Sequence, residues 1–226
     1  LLAAEMQRAI KPVVVPSVEG AELAVRQTMA ARALGGGDFC SVLDLGKGCY
    51  AFGVADVAGK TMSGLATVPL AYAAFWVTFQ HQARPEACMD EIDELLEAST
   101  RSDVFVALFV ARYDSRTGEL TYSNAGQPDG LVVRADGTVE RLTEGGPPAG
   151  AIPPAVRGPY RGGRTVLGRG DWLLIGTDGV LGDEGTADRI AKLLTAAKGI
   201  DAVAAEILSA SRAGDDQAFI LLRRRR

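Results

Sequence analysis

Phe52–Lys60, FGVADVAGK, decides how the rest of the chain is read. Phe52, Val54 and Val57 are strand formers, while Gly53 and Ala55 let another backbone or a helix pack close. The run ends on Asp56, with Gly59 and the polar pair Lys60-Thr61 just beyond. A carboxylate at the end of an otherwise apolar strand is costly unless something positive meets it. Lys60 offers one partner, as a plain salt bridge. A bound cation is the other, and the choice depends on whether further aspartates occupy the same kind of place.

They do. Asp38 follows Gly35-Gly36-Gly37 at the head of an expected strand. Asp178 ends the run WLLIGT and precedes Gly179, and Asp215 and Asp216 open the last strand after Ala213-Gly214. Beside each acid a glycine lets the backbone come close to a ligand. A single Asp-Gly is a plain turn, but four or five converging carboxylates could not all stay ionised without a cation. Oxygen-only donors imply a hard ion, Mg²⁺ or Mn²⁺, and the lack of histidine in the set speaks against zinc.

Composition agrees with a soluble globular protein. The 226 residues are 47% hydrophobic and 23% charged, ordinary for one globular domain. A net charge of −4 gives no general attraction to nucleic acid or an anionic membrane, and the tail Arg223–Arg226 reads as solvated. Cys40, Cys49 and Cys88 form no CxxC pair, so reduced thiols and a cytoplasmic location are expected. The longest apolar run, Val68–Phe79, is too short to span a bilayer. The chain opens on Leu1 without a signal pattern and is expected to be a fragment of something longer.

Leu1–Ile10 has helical spacing, with Leu2, Met6 and Ile10 on one face, and Pro12 and Pro16 stop it. Residues 1–16 are therefore expected to be the end of a linker helix and an extended lead-in, and residues 17–226 one α+β domain. Strands are expected at Glu22–Met29, Asp38–Leu45 and Cys49–Val57, the last two joined by the hairpin Gly46-Lys47-Gly48. A long apolar helix follows over Met62–His81, kinked or started by Pro69. Glu86–Ser99 is amphipathic, with Ile92, Leu95 and Leu96 inward and Glu91, Asp93 and Glu94 towards water. Val104–Tyr113 is apolar on both faces, which predicts a strand covered on both sides. Strands at Glu119–Ala125, Gly130–Arg134 and Val139–Leu142 come next, then a Gly/Pro-rich loop over Gly145–Gly163. Strands at Arg164–Leu167 and Trp172–Gly176, helices at Ala187–Ala197 and Ala202–Arg212, and a final strand at Ala218–Arg223 complete the order. Antiparallel strands interrupted by helix pairs fit two packed sheets with helices outside.

Counting removes several chemistries. His81 is the only histidine, so a Ser-His-Asp or Cys-His site would have to be built on it, with no supporting motif around it. A cysteine phosphatase needs arginine six positions after its thiol, where this chain has Gly46, Ala55 and Glu94. VADVAGKT ends like a phosphate-binding loop, but its first glycine is Val54 and Asp56 would lie inside the cradle. GGDF at Gly36–Phe39 is similar to the diguanylate cyclase signature but lacks its second acid.

Taken in order, EMQR with KP, GGDF, DVAGK at Asp56–Lys60, TGELTYSNAGQP at Thr117–Pro128, GDWLLIGTDGV at Gly170–Val180 and DDQAFILL at Asp215–Leu222 form a set. In that set the chain resembles the SpoIIE/RsbU-type branch of the PPM family, the metal-dependent serine/threonine protein phosphatases of bacteria. The resemblance implies an αββα sandwich and two Mn²⁺ or Mg²⁺ ions. It implies that Asp56 bridges both ions, that Asp38 and the carbonyl of Val57 hold one, and that Asp178 and Asp215 hold the other, with Asp216 the second acid of its pair. Asp56, Asp38 and Asp178 are then the catalytic residues. Its implied substrate is a phosphoserine or phosphothreonine protein, an anti-sigma-factor antagonist, under an N-terminal sensor. Apart from the resemblance, the apolar face of Leu1–Ile10 needs a neighbour, which a second copy of the chain would supply in a homodimer. Two positions depart from the family pattern: Thr61 replaces a glycine, and Gln127 replaces the histidine of NAGHP. If that histidine assists the leaving group or the phosphate, turnover is expected to be weaker. A catalytically weak PPM-like binding domain is the alternative.

Overall fold

The computed structural model describes residues 15–28, 37–58, 62–100, 104–182, 185–196, 199–210 and 216–225. The expected helix at Leu1–Ile10 and the acid Asp215 lie outside the described residues, as do Gly36, Lys60 and Thr61.

Among the described residues the strands form two sheets. The first contains β1 (Ala21–Thr28), β11 (Gln217–Arg224), β10 (Trp172–Gly176), β6 (Gly130–Val133) and β7 (Val139–Leu142), in that spatial order. In the second, β2 (Asp38–Gly46), β3 (Cys49–Val57), β4 (Val106–Asp114), β5 (Glu119–Ala125) and the two-residue β8 (Gly145–Gly146) run side by side, and β9 (Gly163–Val166) pairs with β5. Pairing is antiparallel except for β5 with β8. β1 and β2 are consecutive yet belong to different sheets, so the chain crosses the sandwich between them.

Three apolar layers hold this together. Between the sheets lie Val42, Phe52, Val54, Phe109, Tyr113, Leu173, Ile175 and Ile220. The Phe109 and Tyr122 rings stack there with centroids 5.5 Å apart. Outside the second sheet, α1 (Met62–His81) and α2 (Pro85–Ser99) cover Phe39, Ala55, Val57, Leu108 and Val110. On the outer face of the first sheet, α5 (Thr186–Ala196) and α6 (Ile200–Ala210) cover Leu131, Leu174, Phe219 and Leu221. β4 contributes Val106, Leu108 and Val110 to one layer and Phe109, Ala111 and Tyr113 to another, the reason its sequence is apolar throughout. Each such large apolar side chain contributes about 1.5–3 kcal/mol by leaving water.

α1 runs unbroken through Pro69. Ala71, Phe75 and Phe79 face the sheet, whereas Trp76 and Val77 are exposed. The helix is thus apolar on more than its buried side.

Two expectations change. Asp93, read as facing water, is 0% exposed, and Leu95, read as inward, is 45% exposed. The buried stripe of α2 is Pro85, Cys88, Met89, Ile92, Asp93 and Leu96, and Asp93 enters it because Arg157 meets it there. Arg157 donates from Nη2 at 2.7 Å and Nε at 3.1 Å to Asp93 Oδ2, and from Nη1 at 3.1 Å to Asp90. Gly150 N–H donates to Asp93 Oδ1 at 2.6 Å, and the guanidinium lies 3.8 Å from the centre of the Tyr160 ring. The second change follows: the stretch expected to be loop over Gly145–Gly163 contains β8 and a helical turn, α3 (Pro154–Arg157), clasped to α2 by these bonds. It also meets the start of β4 through an antiparallel bridge between Val106 and Ala149.

Candidate metal centre and active site

Asp38 and Asp56 are register partners across β2 and β3. Val57 N–H donates to the Gly37 carbonyl at 3.2 Å, which makes the neighbouring pair 37/57 a hydrogen-bonded one. By the alternation of an antiparallel ladder, Asp38 and Asp56 are a non-hydrogen-bonded pair, the kind whose side chains come closest. Asp38, Cys40 and Val42 alternate onto the inter-sheet face of β2, so this acidic pair sits at one end of the seam between the sheets.

The opposite sheet supplies the rest. Thr177, at the end of β10, donates its hydroxyl to Asp38 Oδ2 at 2.8 Å and accepts from Ala218 N–H of β11 at 3.1 Å. Asp216, just before β11, accepts from Gly37 N–H at 3.2 Å. Gln27 of β1 donates to the Asp38 carbonyl at 2.6 Å. Two glycines are required by this crowding. A Cβ at Gly37 would come 2.9 Å from the Val57 carbonyl oxygen, and one at Gly179 would strike the Asp216 carbonyl. Asp178 opens the short helix α4 (Asp178–Leu181) and is exposed.

Electrostatics follow from this packing. Asp38 is 3% exposed. Burial, first, and then the facing Asp56 charge push its carboxyl from 3.8 up to about 8, with Asp216 adding and the Thr177 hydroxyl opposing. Carboxylates brought together at this seam are a donor set that suits a hard divalent ion. Among the described residues no three His, Cys, Asp or Glu side chains already gather as a metal cage. Asp38 and Asp56 are therefore brought together, Asp216 joins through Gly37, and Asp178 stands at the rim. Thr177 and Gln27 were not foreseen from the sequence. For Thr177 the signal was present, a hydroxyl directly before the terminal acid of an apolar strand; for Gln27 there was none.

The model of the family described as Stage II sporulation protein E (SpoIIE) matches residues 46–225. The chain belongs to the SpoIIE family. Its structure is similar to that of the RsbU and RsbW domains of Rv1364c from Mycobacterium tuberculosis, with TM-score 0.80 and 26% identity over 94% of this chain and 64% of that one. It is similar to the PP2C phosphatase domain with a regulatory fragment of SpoIIE from Bacillus subtilis, with TM-score 0.74 and 16% identity over 90% and 63% of the two chains. RsbX in complex with magnesium matches with TM-score 0.75 and 14% identity, over 92% of this chain and 98% of that one. The last two likenesses speak for the fold alone. The SpoIIE-family chain described here spans less than two thirds of each of the first two proteins. The αββα arrangement is the PPM phosphatase fold, shared with the SpoIIE, RsbU and RsbX domains to which the chain is similar.

Proposed function

We propose that this chain is a Mn²⁺- or Mg²⁺-dependent protein serine/threonine phosphatase whose substrate is a phosphorylated anti-sigma-factor antagonist in a cytoplasmic partner-switching pathway. The observation that carries the reading is the Asp38–Asp56 pair facing across its ladder at the seam, with Asp216 held against Gly37. Asp38, Asp56, the Val57 carbonyl, Asp178 and Asp215 would hold two ions, and Asp56 would touch both. Bound there, the ions would lower the pKa of a shared water for in-line attack on phosphorus. The chain's own residues prepare that place. Thr177 and Gln27 fix Asp38, Gly37 N–H fixes Asp216, and burial keeps the Asp38 carboxylate undersolvated, so that a cation gains more by meeting it than in bulk water.

Support for the substrate class comes from the company of RsbU and RsbW domains in one similar structure and of a stressosome protein in another. Residues 17–226 are proposed as the phosphatase domain, and residues 1–16 as its lead-in from a sensor through which two copies can pair. Hydrolysis of p-nitrophenyl phosphate with and without Mn²⁺ tests the reading, with Asp56→Asn as the control. Mn²⁺-stimulated turnover that Asp56→Asn abolishes is expected. No stimulated turnover and no Mn²⁺ uptake by calorimetry would overturn it and leave a binding domain.

A further inference from the structure

Gln127 stands where the resembling motif has histidine, and the structure gives its side chain a definite task. It is 7% exposed, in the turn that leaves β5. Asn124 holds this turn from both sides: its Oδ1 accepts Gln127 N–H at 2.9 Å, and its Nδ2 donates to the Gln127 carbonyl at 2.9 Å. Gly126, at φ +78°, lies against Pro148, so the turn is closed from above as well. The side chain then reaches back to β4, and Nε2 donates to the Ala107 carbonyl at 3.0 Å.

Ala107 is the register partner of Asp56 on the side away from Asp38. Ala58 N–H donates to the Phe105 carbonyl at 2.9 Å, while Val57 N–H turns the other way, to Gly37. In an antiparallel ladder the hydrogen-bonded pairs recur every second residue, so Asp56 and Ala107 exchange backbone bonds two places from Ala58 and Phe105. The Ala107 carbonyl thus has two lone pairs and two donors, the Asp56 backbone N–H and the Gln127 amide. The regular β4–β5 pairing ends at Leu108 with Ala125, so the turn that carries Gln127 begins beside Ala107.

We propose that Gln127 is a positioning residue for Asp56, its amide fixing the backbone carbonyl from which the Asp56 main chain hangs, so that residue 127 sets metal affinity without contacting metal or substrate. The chemistry needs an N–H donor of about this reach, which an imidazole also supplies. A histidine here does its work through that N–H and not as an acid. The part concerning metal and turnover rests on the phosphatase reading above; the part concerning the ladder does not.

The test compares the wild-type chain with Gln127→Leu, which keeps volume and loses the donor, and with Gln127→His, which restores one. Mn²⁺ affinity is measured by calorimetry, hydrolysis of p-nitrophenyl phosphate by KM and kcat, and amide exchange at Asp56 and Ala58 in the metal-free protein. Losing a bond of this kind is expected to weaken Mn²⁺ binding about tenfold in Gln127→Leu. KM is expected to hold, exchange at both amides to rise, and Gln127→His to return within about twofold of wild type. Unchanged Mn²⁺ affinity and exchange in Gln127→Leu would overturn the proposal, as would a loss that Gln127→His fails to rescue. If wild type neither binds Mn²⁺ nor hydrolyses the substrate, the phosphatase reading falls. The exchange rates then decide alone whether Gln127 holds the ladder.

Discussion

Replacing Asp38 by asparagine tests the electrostatics of the site without relying on catalysis. The folded chain holds the Asp38 carboxyl near 8, and the unfolded chain returns it to 3.8. A group whose pKa is raised on folding contributes stability that is complete below its unfolded value and is lost as pH climbs to the folded one. Across that interval of about four pH units, at about 1.4 kcal/mol each, the metal-free protein loses on the order of 5 kcal/mol. Asparagine resembles the protonated acid: it can still accept from Thr177 and has no charge to set against Asp56. In EDTA at pH 8, Asp38→Asn is therefore expected to melt roughly 10 °C above wild type, given about 2–4 °C per kcal/mol for a chain of this size. The gap should close towards pH 4, and Mn²⁺ should reverse the order by stabilising wild type alone. Thermal melts by circular dichroism at the two pH values, with and without Mn²⁺, provide the readings. A variant less stable than wild type in EDTA at pH 8, or a gap indifferent to pH, would refute the reasoning.

Thr177→Val removes the hydroxyl that opposes the upward shift of Asp38, so protons compete better with the ion. A hydrogen bond to a charged group contributes about 1.5–3 kcal/mol, and Mn²⁺ affinity at pH 7 should fall at least tenfold and recover as pH rises. Calorimetry across pH 6 to 9 checks this, and a pH-independent loss would count against it. Asp93→Ala leaves Asp90 as the carboxylate facing the buried Arg157 and should cost about 3–5 kcal/mol in urea melts, whereas replacing both Asp93 and Arg157 by apolar residues should cost much less.

The strands were legible because alternation and Gly-rich turns mark them locally, and β3, β5, β7 and β10 fall on the expected residues. The Asp38–Asp56 pair was legible for a related reason, since each acid stands at the terminus of a mostly apolar strand beside Gly-rich sequence. Asp93 was not. Spacing alone sets it with Met89 and Leu96 on the inner stripe of α2, but its charge argued for water, and only a partner far along the chain overrules that argument. Arg157 lies in a Pro- and Gly-rich stretch that carries no sign of its destination. The same holds for Gln27 and Gln127, whose amides reach backbone carbonyls that no sequence pattern marks.

The seam between the sheets has a mechanical side. Asp38 and Asp56 belong to one sheet, Thr177 and Asp216 to the other, and like charges at that rim act as a wedge. Above about pH 8, where Asp38 is charged, the metal-free sandwich should gape first at this end while the stacked rings of Phe109 and Tyr122 keep the two layers closed deeper in. On the proposed reading, an ion held there would act as a rivet, stiffening the domain across its thickness, so that whatever shifts one sheet against the other would also alter its hold on metal.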